Sequence, residues 1–287
     1  MPAETIFYYR KLGQNSLFPG AHMSRVAGSG QLFKQHQSLI NMPDPRHIDL
    51  RASLLDPFSR FQVKTFQQLS RLDVFLLADL SASMRFVGAY DKRQALVDCL
   101  LSVAQSAHAM HDRFGFVGWG QGIDASFLMA PASLQQGRVS AMAEQLLSTR
   151  LTGQGDNILH VHRYLPQHSA LVFLLSDFHM SLDKIKQQMQ GLSAHTVVPL
   201  VLWDNIEQGN LPAWGLVKFS DMEQGQTRTL FMRPKLRQKI KQAFAQRRQQ
   251  LQQCFRTFGC EPLFIEQGYR AELLSQYFLQ HGSRYAL

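Results

Sequence analysis

Three uninterrupted apolar runs, Val74 to Ala78, Leu171 to Leu175 and Val197 to Trp203, constrain this chain more than any other feature. A short apolar run without polar alternation reads as a strand buried on both faces. Such strands belong to parallel sheets whose crossover helices cover both sides. The intervening segments supply the helices. Lys92 to His111 places Leu96, Cys99, Leu100, Val103 and Ala107 on one helical face, and Gln136 to Leu147 and Leu182 to Met189 read as shorter helices. Phe114 to Trp119 and Ser126 to Ala130 read as strands, paired in a hairpin around Gly120-Gln121-Gly122. The expected fold class is α/β, a mostly parallel sheet with helices on both faces.

Further along, Gly215 to Phe219 and Thr227 to Met232 read as an exposed strand pair. A long helix from Pro234 to Phe258, a strand Leu263 to Glu266 and a helix Arg270 to Gln280 follow. The beginning of the chain carries turn signals at Pro19-Gly20, Gly28-Ser29-Gly30 and Pro43-Asp44-Pro45, and reads as an irregular arm with short elements. The expected division is an arm over residues 1–70 packed on the main domain, the main domain over 71–232, and a helix, strand and helix over 233–287 completing it.

Composition narrows the class. With 287 residues, 45% of them hydrophobic, the chain can bury a core large enough to exclude global disorder. Cys99, Cys254 and Cys260 cannot form a paired disulfide framework and show no metal-ligand spacing. Glu4 stands where a signal peptide would be basic, and the apolar runs fall far short of the ~18 residues of a spanning helix. A soluble cytoplasmic protein without a membrane partner is expected.

The residues that carry chemistry follow the first core strand: Asp79-Leu80-Ser81-Ala82-Ser83. In an open α/β sheet, ligands gather at the carboxyl ends of strands. An acid there, with hydroxyls two and four residues on, offers three hard oxygens from one turn, which suits Mg²⁺. Asp177 ends the strand Leu171 to Leu175, and two strand-end acids of one sheet can meet over one ion. The plainer alternative is that Asp79 and the serines cap the next helix.

This pattern resembles a von Willebrand factor A-like domain with a metal-ion-dependent adhesion site. The resemblance implies that Asp79, Ser81, Ser83 and Asp177 hold Mg²⁺, or Mn²⁺, and that a partner's carboxylate completes the coordination. The fifth position, normally Thr, falls in Thr152-Gly153-Gln154-Gly155-Asp156-Asn157-Ile158, with Asp156 in its place and Thr152 as the fallback. A third carboxylate would over-neutralise the ion and weaken its pull on an acidic partner. Gly28 to Phe33, Asp44 to Leu50 and Lys218 to Gly225 further resemble elements of the bacterial family called domain of unknown function 58, with Leu50 where the family has Trp. That family implies an adaptor working with MoxR-type AAA+ ATPases in protein maturation.

Other features point elsewhere and are weaker. His108, His111, His160, His162 and His168 lack zinc-site spacing, so solvated or core histidines are expected. No Gly-x-Ser-x-Gly element surrounds Ser81 or Ser83, so no enzyme is expected. The net charge of +9 is local: eight bases and no acid lie from Arg233 to Cys260, leaving 22 bases against 21 acids elsewhere. Lys235, Arg237, Lys239, Lys241 and Arg248 are the candidate partner contacts, with Arg247 alone inside the apolar stripe of Leu236, Ile240, Phe244, Leu251, Phe255 and Phe258. An acidic protein partner fits better than nucleic acid, because aromatic residues do not interleave with the charges. A solvated face whose stems cover apolar surface is the structural alternative. Three functions follow: a Mg²⁺-dependent interaction module, a metal-independent adaptor acting through the basic helix, or a nucleic-acid-binding protein.

Overall fold

The computed structural model describes residues 19–28, 32–41, 44–120, 123–132, 136–153, 161–204, 212, 214–220 and 227–285. Strands β1 (Pro19–Gly28), β2 (Leu32–Ser38) and β3 (Gln62–Ser70) form an antiparallel sheet in the order β1-β3-β2, with the short helix α1 (Leu50–Leu54) before β3. The chain continues as β4 (Asp73–Asp79), α2 (Lys92–Ala109), β5 (Arg113–Trp119), β6 (Ile123–Ala132), α3 (Gln136–Ser148), β7 (Leu171–Ser176), α4 (Leu182–Gly191) and β8 (Thr196–Leu202). The antiparallel pair β9 (Gly215–Ser220) and β10 (Thr227–Met232) leads into α5 (Pro234–Thr257), β11 (Leu263–Ile265) and α6 (Ala271–Tyr285).

The irregular arm expected before residue 70 is corrected to a regular three-stranded sheet. The periodicity is hidden because one of the fully buried positions of β3 is Thr65, two residues from Val63. The Thr65 hydroxyl is satisfied by donating to the Gln35 carbonyl at 2.7 Å. A buried threonine with a partner serves a sheet as well as a valine, yet carries no hydrophobic signal.

The central sheet has the order β11-β8-β7-β4-β5-β6, parallel throughout except for β6, which returns antiparallel to β5. Alternate residues of β4 feed two cores. Val74, Leu76 and Ala78 pack with Leu96, Leu100 and Val103 of α2 and Leu274 and Phe278 of α6. Phe75 and Leu77 face the opposite core, which holds Ile185 and Met189 of α4 and Leu251 and Phe255 of α5. Each such apolar side chain contributes about 1.5–3 kcal/mol on burial, which is why the strands tolerate no polar alternation. The result is the α/β fold class expected, a mostly parallel sheet covered by helices on both faces.

The amino end of the sheet is pinned by charge. Buried Asp73 accepts from Arg113 Nε and Nη2 at 2.6 and 2.7 Å, and pairs with His168 Nε2 at 2.8 Å. Asp112 Oδ1 accepts from the Leu72 amide at 2.8 Å. The carboxyl end is thereby left to the loops that follow β4, β7 and β8. Among the described residues no helix is long and apolar enough to cross a membrane.

Candidate metal centre

β4 and β7 are neighbours in parallel register, Ala78 opposite Leu175, so their terminal acids emerge side by side. Asp79 is fully buried. Its Oδ1 accepts from the Ser81 amide at 2.9 Å, and its Oδ2 accepts from the Ser176 hydroxyl at 2.6 Å. Ser176 Oγ in turn accepts from the Phe178 amide at 3.0 Å, and the Asp177 carboxylate accepts from the His179 amide at 3.3 Å. The Ser81 and Ser83 hydroxyl oxygens lie 3.0 Å apart. Asp79, Ser81, Ser83 and Asp177 are thus brought to one end of the sheet.

The helix-cap alternative fails on this geometry. Ser81 precedes a single 3-10 turn, Ala82–Arg85, and makes no side-chain cap bond. The cap of α2 is Asp91, which accepts from the Arg93 and Gln94 amides at 2.9 and 3.4 Å. Asp79 and its serines therefore make no side-chain cap to α2, and Ser81 stands at the start of the 3-10 turn through its backbone alone.

The electrostatics of the two acids diverge. Burial, with the Asp177 charge second, pushes Asp79 up to about 7 despite hydrogen bonds from Ser176 and Ser81. Burial acts most strongly on Asp177 as well. There the charges of His179 and Lys92, with hydrogen bonds from Ser83 and the His179 amide, outweigh it and hold the carboxyl below its ordinary value.

Three groups near the site went unassigned in the sequence. Lys92, fully buried, places Nζ 3.5 Å from Asp177 Oδ2. Asp204, following β8, accepts from the Ala89 and Tyr90 amides at 2.7 and 3.3 Å and so fixes the loop leading into Lys92. His179 Nε2 stands 3.9 Å from Asp177 Oδ2 and stacks on Trp203, whose Nε1 donates to the Asp177 carbonyl at 2.8 Å. Asp204 had a readable signal, being a third acid at a core-strand end. Ser176 also had one, as the residue before Asp177.

The loop named for the fifth ligand lies alongside. The Ala82 amide donates to the Gly153 carbonyl at 3.1 Å. Gly120 allows that approach: a Cβ there would meet the Leu80 and Thr152 carbonyl oxygens at 2.9 Å. Gly120→Ala is therefore expected to cost about 1–3 kcal/mol in chemical denaturation, because backbone rather than a side-chain tip must yield. Thr152 is exposed, and Asp156 lies outside the described residues.

The donor set fits a hard divalent cation. The Ser81 and Ser83 hydroxyls share a hydrogen bond of 3.0 Å, so both oxygens lie close enough to be neighbours on one Mg²⁺, whose adjacent ligands at ~2.1 Å stand ~3.0 Å apart. Among the described residues no cluster of three or more His, Cys, Asp or Glu side chains could hold a metal. An ion here would rely on hydroxyls beside two carboxylates.

The basic helix divides into two halves. Lys235, Lys239 and Lys241 are exposed and Arg237 is half-buried; with Pro234 and Gln238, Arg237 and Lys241 line a depression of about 230 Å³. Arg248 stands apart from that group, paired with Glu266 and lying 4.3 Å over the Phe264 ring. Arg256 binds Glu261 through two bonds of 2.8 and 2.9 Å. Arg247 reaches the turn after Asp177: Nη2 donates to the Phe178 carbonyl at 2.9 Å and to that of Met180. Its place inside the apolar stripe is explained by that contact.

A family model described as protein of unknown function DUF58 matches residues 46–250. An uncharacterized protein in the moxR 3' region of Paracoccus denitrificans is 30% identical over 101 residues, covering 35% of this chain and 96% of that protein. An aerotolerance-related membrane protein from Bacteroides fragilis superposes at a TM-score of 0.40 and 13% identity, over 73% of this chain and 97% of that one. A von Willebrand factor type A protein from Catenulispora acidiphila gives 0.38 and 13%, over 75% of this chain and 43% of that one. Both scores are below 0.5, so the fold class stands on the strand order and helix placement alone. With most of its length matched by the family model, from the end of the arm through most of α5, the chain belongs to the DUF58 family.

Proposed function

We propose that the chain is a non-enzymatic, cytoplasmic adaptor that contacts a protein partner through a divalent cation at the carboxyl end of its sheet. The observation that carries the reading is the pair of serine hydroxyls 3.0 Å apart beside two buried acids. Asp79, Ser81, Ser83 and Asp177 would hold Mg²⁺, or Mn²⁺. When bound, the ion supplies a Lewis-acidic position for a partner's carboxylate oxygen. Ser176 and the Ser81 amide hold the Asp79 carboxylate in one orientation, so the site needs little rearrangement to receive a cation. The buried strands beneath exclude water and strengthen each charge interaction.

The partner proposed is a MoxR-type AAA+ ATPase. Support comes from family membership and from the Paracoccus denitrificans relative, whose name sets it in the moxR 3' region. Surface plasmon resonance between this chain and the MoxR-type ATPase of the same organism tests it. Affinity is expected to fall at least about tenfold when EDTA replaces Mg²⁺, and Asp79→Ala is expected to abolish the difference. Equal binding with and without metal would overturn the reading.

A second reading rests on the exposed half of α5. Lys235, Lys239 and Lys241 present charge without a neighbouring acid in the helix, and Arg237 Nε is buried without a partner. A metal-independent acidic protein partner could dock there. Neutralising Lys235, Lys239 and Lys241 to Gln would then weaken binding while EDTA would not. A gel shift that weakens steeply with salt would instead favour nucleic acid.

A further inference from the structure

Lys92 opens α2 and is 0% exposed. A lysine is almost never so completely buried unless it is paired, and a cation at a helix N-terminus also opposes the macrodipole. Both costs need an offset. The nearby anion is the acid pair, with Nζ 3.5 Å from Asp177 Oδ2, and the Phe86 ring lies 5.5 Å from the same nitrogen. The stem is held in place from behind. Asp91 caps the helix, and Asp204 grips the Ala89 and Tyr90 amides immediately before it.

The charge balance of the described groups gives this lysine a purpose. Asp79 and Asp177 ionised would carry two negative charges, which a divalent ion alone would cancel. A loaded site of zero net charge would draw a partner's carboxylate only through the ion's open coordination position. With the Lys92 ammonium included, the loaded site keeps one positive charge, and one partner carboxylate neutralises it.

We infer that Lys92 is a tethered counter-cation of the site: it lowers the affinity for the divalent ion and leaves the loaded site with the positive charge that recruits an acidic group. This rests on the metal-dependent reading above. Without metal, the lysine offsets the charge of buried Asp177. With metal, it makes ion and partner carboxylate favour each other's binding.

The test is calorimetric titration of Mn²⁺ into wild type, Lys92→Met, Lys92→Arg and Asp79→Ala, followed by acetate titrated into the Mn²⁺-saturated proteins. Lys92→Met is expected to bind Mn²⁺ about tenfold tighter or more and acetate correspondingly weaker, while Lys92→Arg keeps wild-type behaviour. Unchanged or weaker Mn²⁺ binding in Lys92→Met, or ion and acetate affinities moving together, would overturn the inference while the metal reading stands. No saturable Mn²⁺ binding in wild type and Lys92→Met alike would overturn both. Thermal unfolding with and without millimolar Mn²⁺ guards against a folding defect: Lys92→Met should start lower in Tm and gain more from the ion than wild type does. An equal gain would count against the inference.

Discussion

Asp79→Asn is expected to stabilise the metal-free protein at pH 8 while abolishing its response to Mg²⁺. Asp79 is raised by burial and by the Asp177 charge from 3.8 to about 7, so the folded state binds its proton more tightly than the unfolded state does. Stability from this group is complete below the unfolded value near 4, declines as pH rises, and is lost once pH passes about 7. Asparagine keeps an oxygen for the Ser81 amide and removes the charge, so its advantage should open between pH about 4 and about 7 and stay level above. Urea denaturation of both proteins in EDTA across that range measures it. Parallel stability curves would show that Asp79 carries no such burden. The wild type, unlike the variant, should regain stability when Mg²⁺ is added at pH 8, because a ligand that binds only the folded state stabilises it by mass action.

Arg247→Leu has the second large effect. Its guanidinium holds the Phe178 and Met180 carbonyls, the turn directly after Asp177. Phe178 sits there at φ 51°, a left-handed conformation that a bulky residue adopts only under constraint, and its ring is fully buried against Phe255 at 5.1 Å. Hydrogen bonds to a charged group contribute about 1.5–3 kcal/mol each. Partial exposure of the arginine reduces this, so a loss of about 2–3 kcal/mol is expected, together with weaker cation binding at a site the residue never touches. Arg248→Ala should cost under about 1 kcal/mol, as its pair with Glu266 is open to solvent. Equal destabilisation by the two substitutions would contradict the assignment.

The contrast between Arg247 and Arg248 shows what could be read from the chain and what could not. The parallel sheet followed from apolar runs because burial on both faces leaves a one-dimensional trace. That Asp79 and Asp177 each end a core strand was legible, but that β4 and β7 are neighbours came only from the sheet order. Lys92 left no trace, because a lysine at the start of a helix normally points into water and only the meeting of β4, β7 and α2 turns it inward. Arg247 was visible as an anomaly in the apolar stripe, without any sign of the carbonyls that it serves. The arm's sheet was hidden by Thr65, which is buried with its hydroxyl satisfied and carries no hydrophobic signal. The charge of α5, which reads as one basic surface, divides once tertiary contacts are known. Its second half pairs with Glu266, Glu261 and the carbonyls of the turn after Asp177, and the lysines of its first half remain exposed.

The most direct measurement is calorimetric titration of Mg²⁺ into the metal-stripped wild type and into Asp79→Asn at pH 8. A single saturable binding event in the wild type that disappears in the variant is the predicted result. No saturable binding in the wild type, or the same binding in both proteins, would contradict a cation site built on Asp79, Ser81, Ser83 and Asp177.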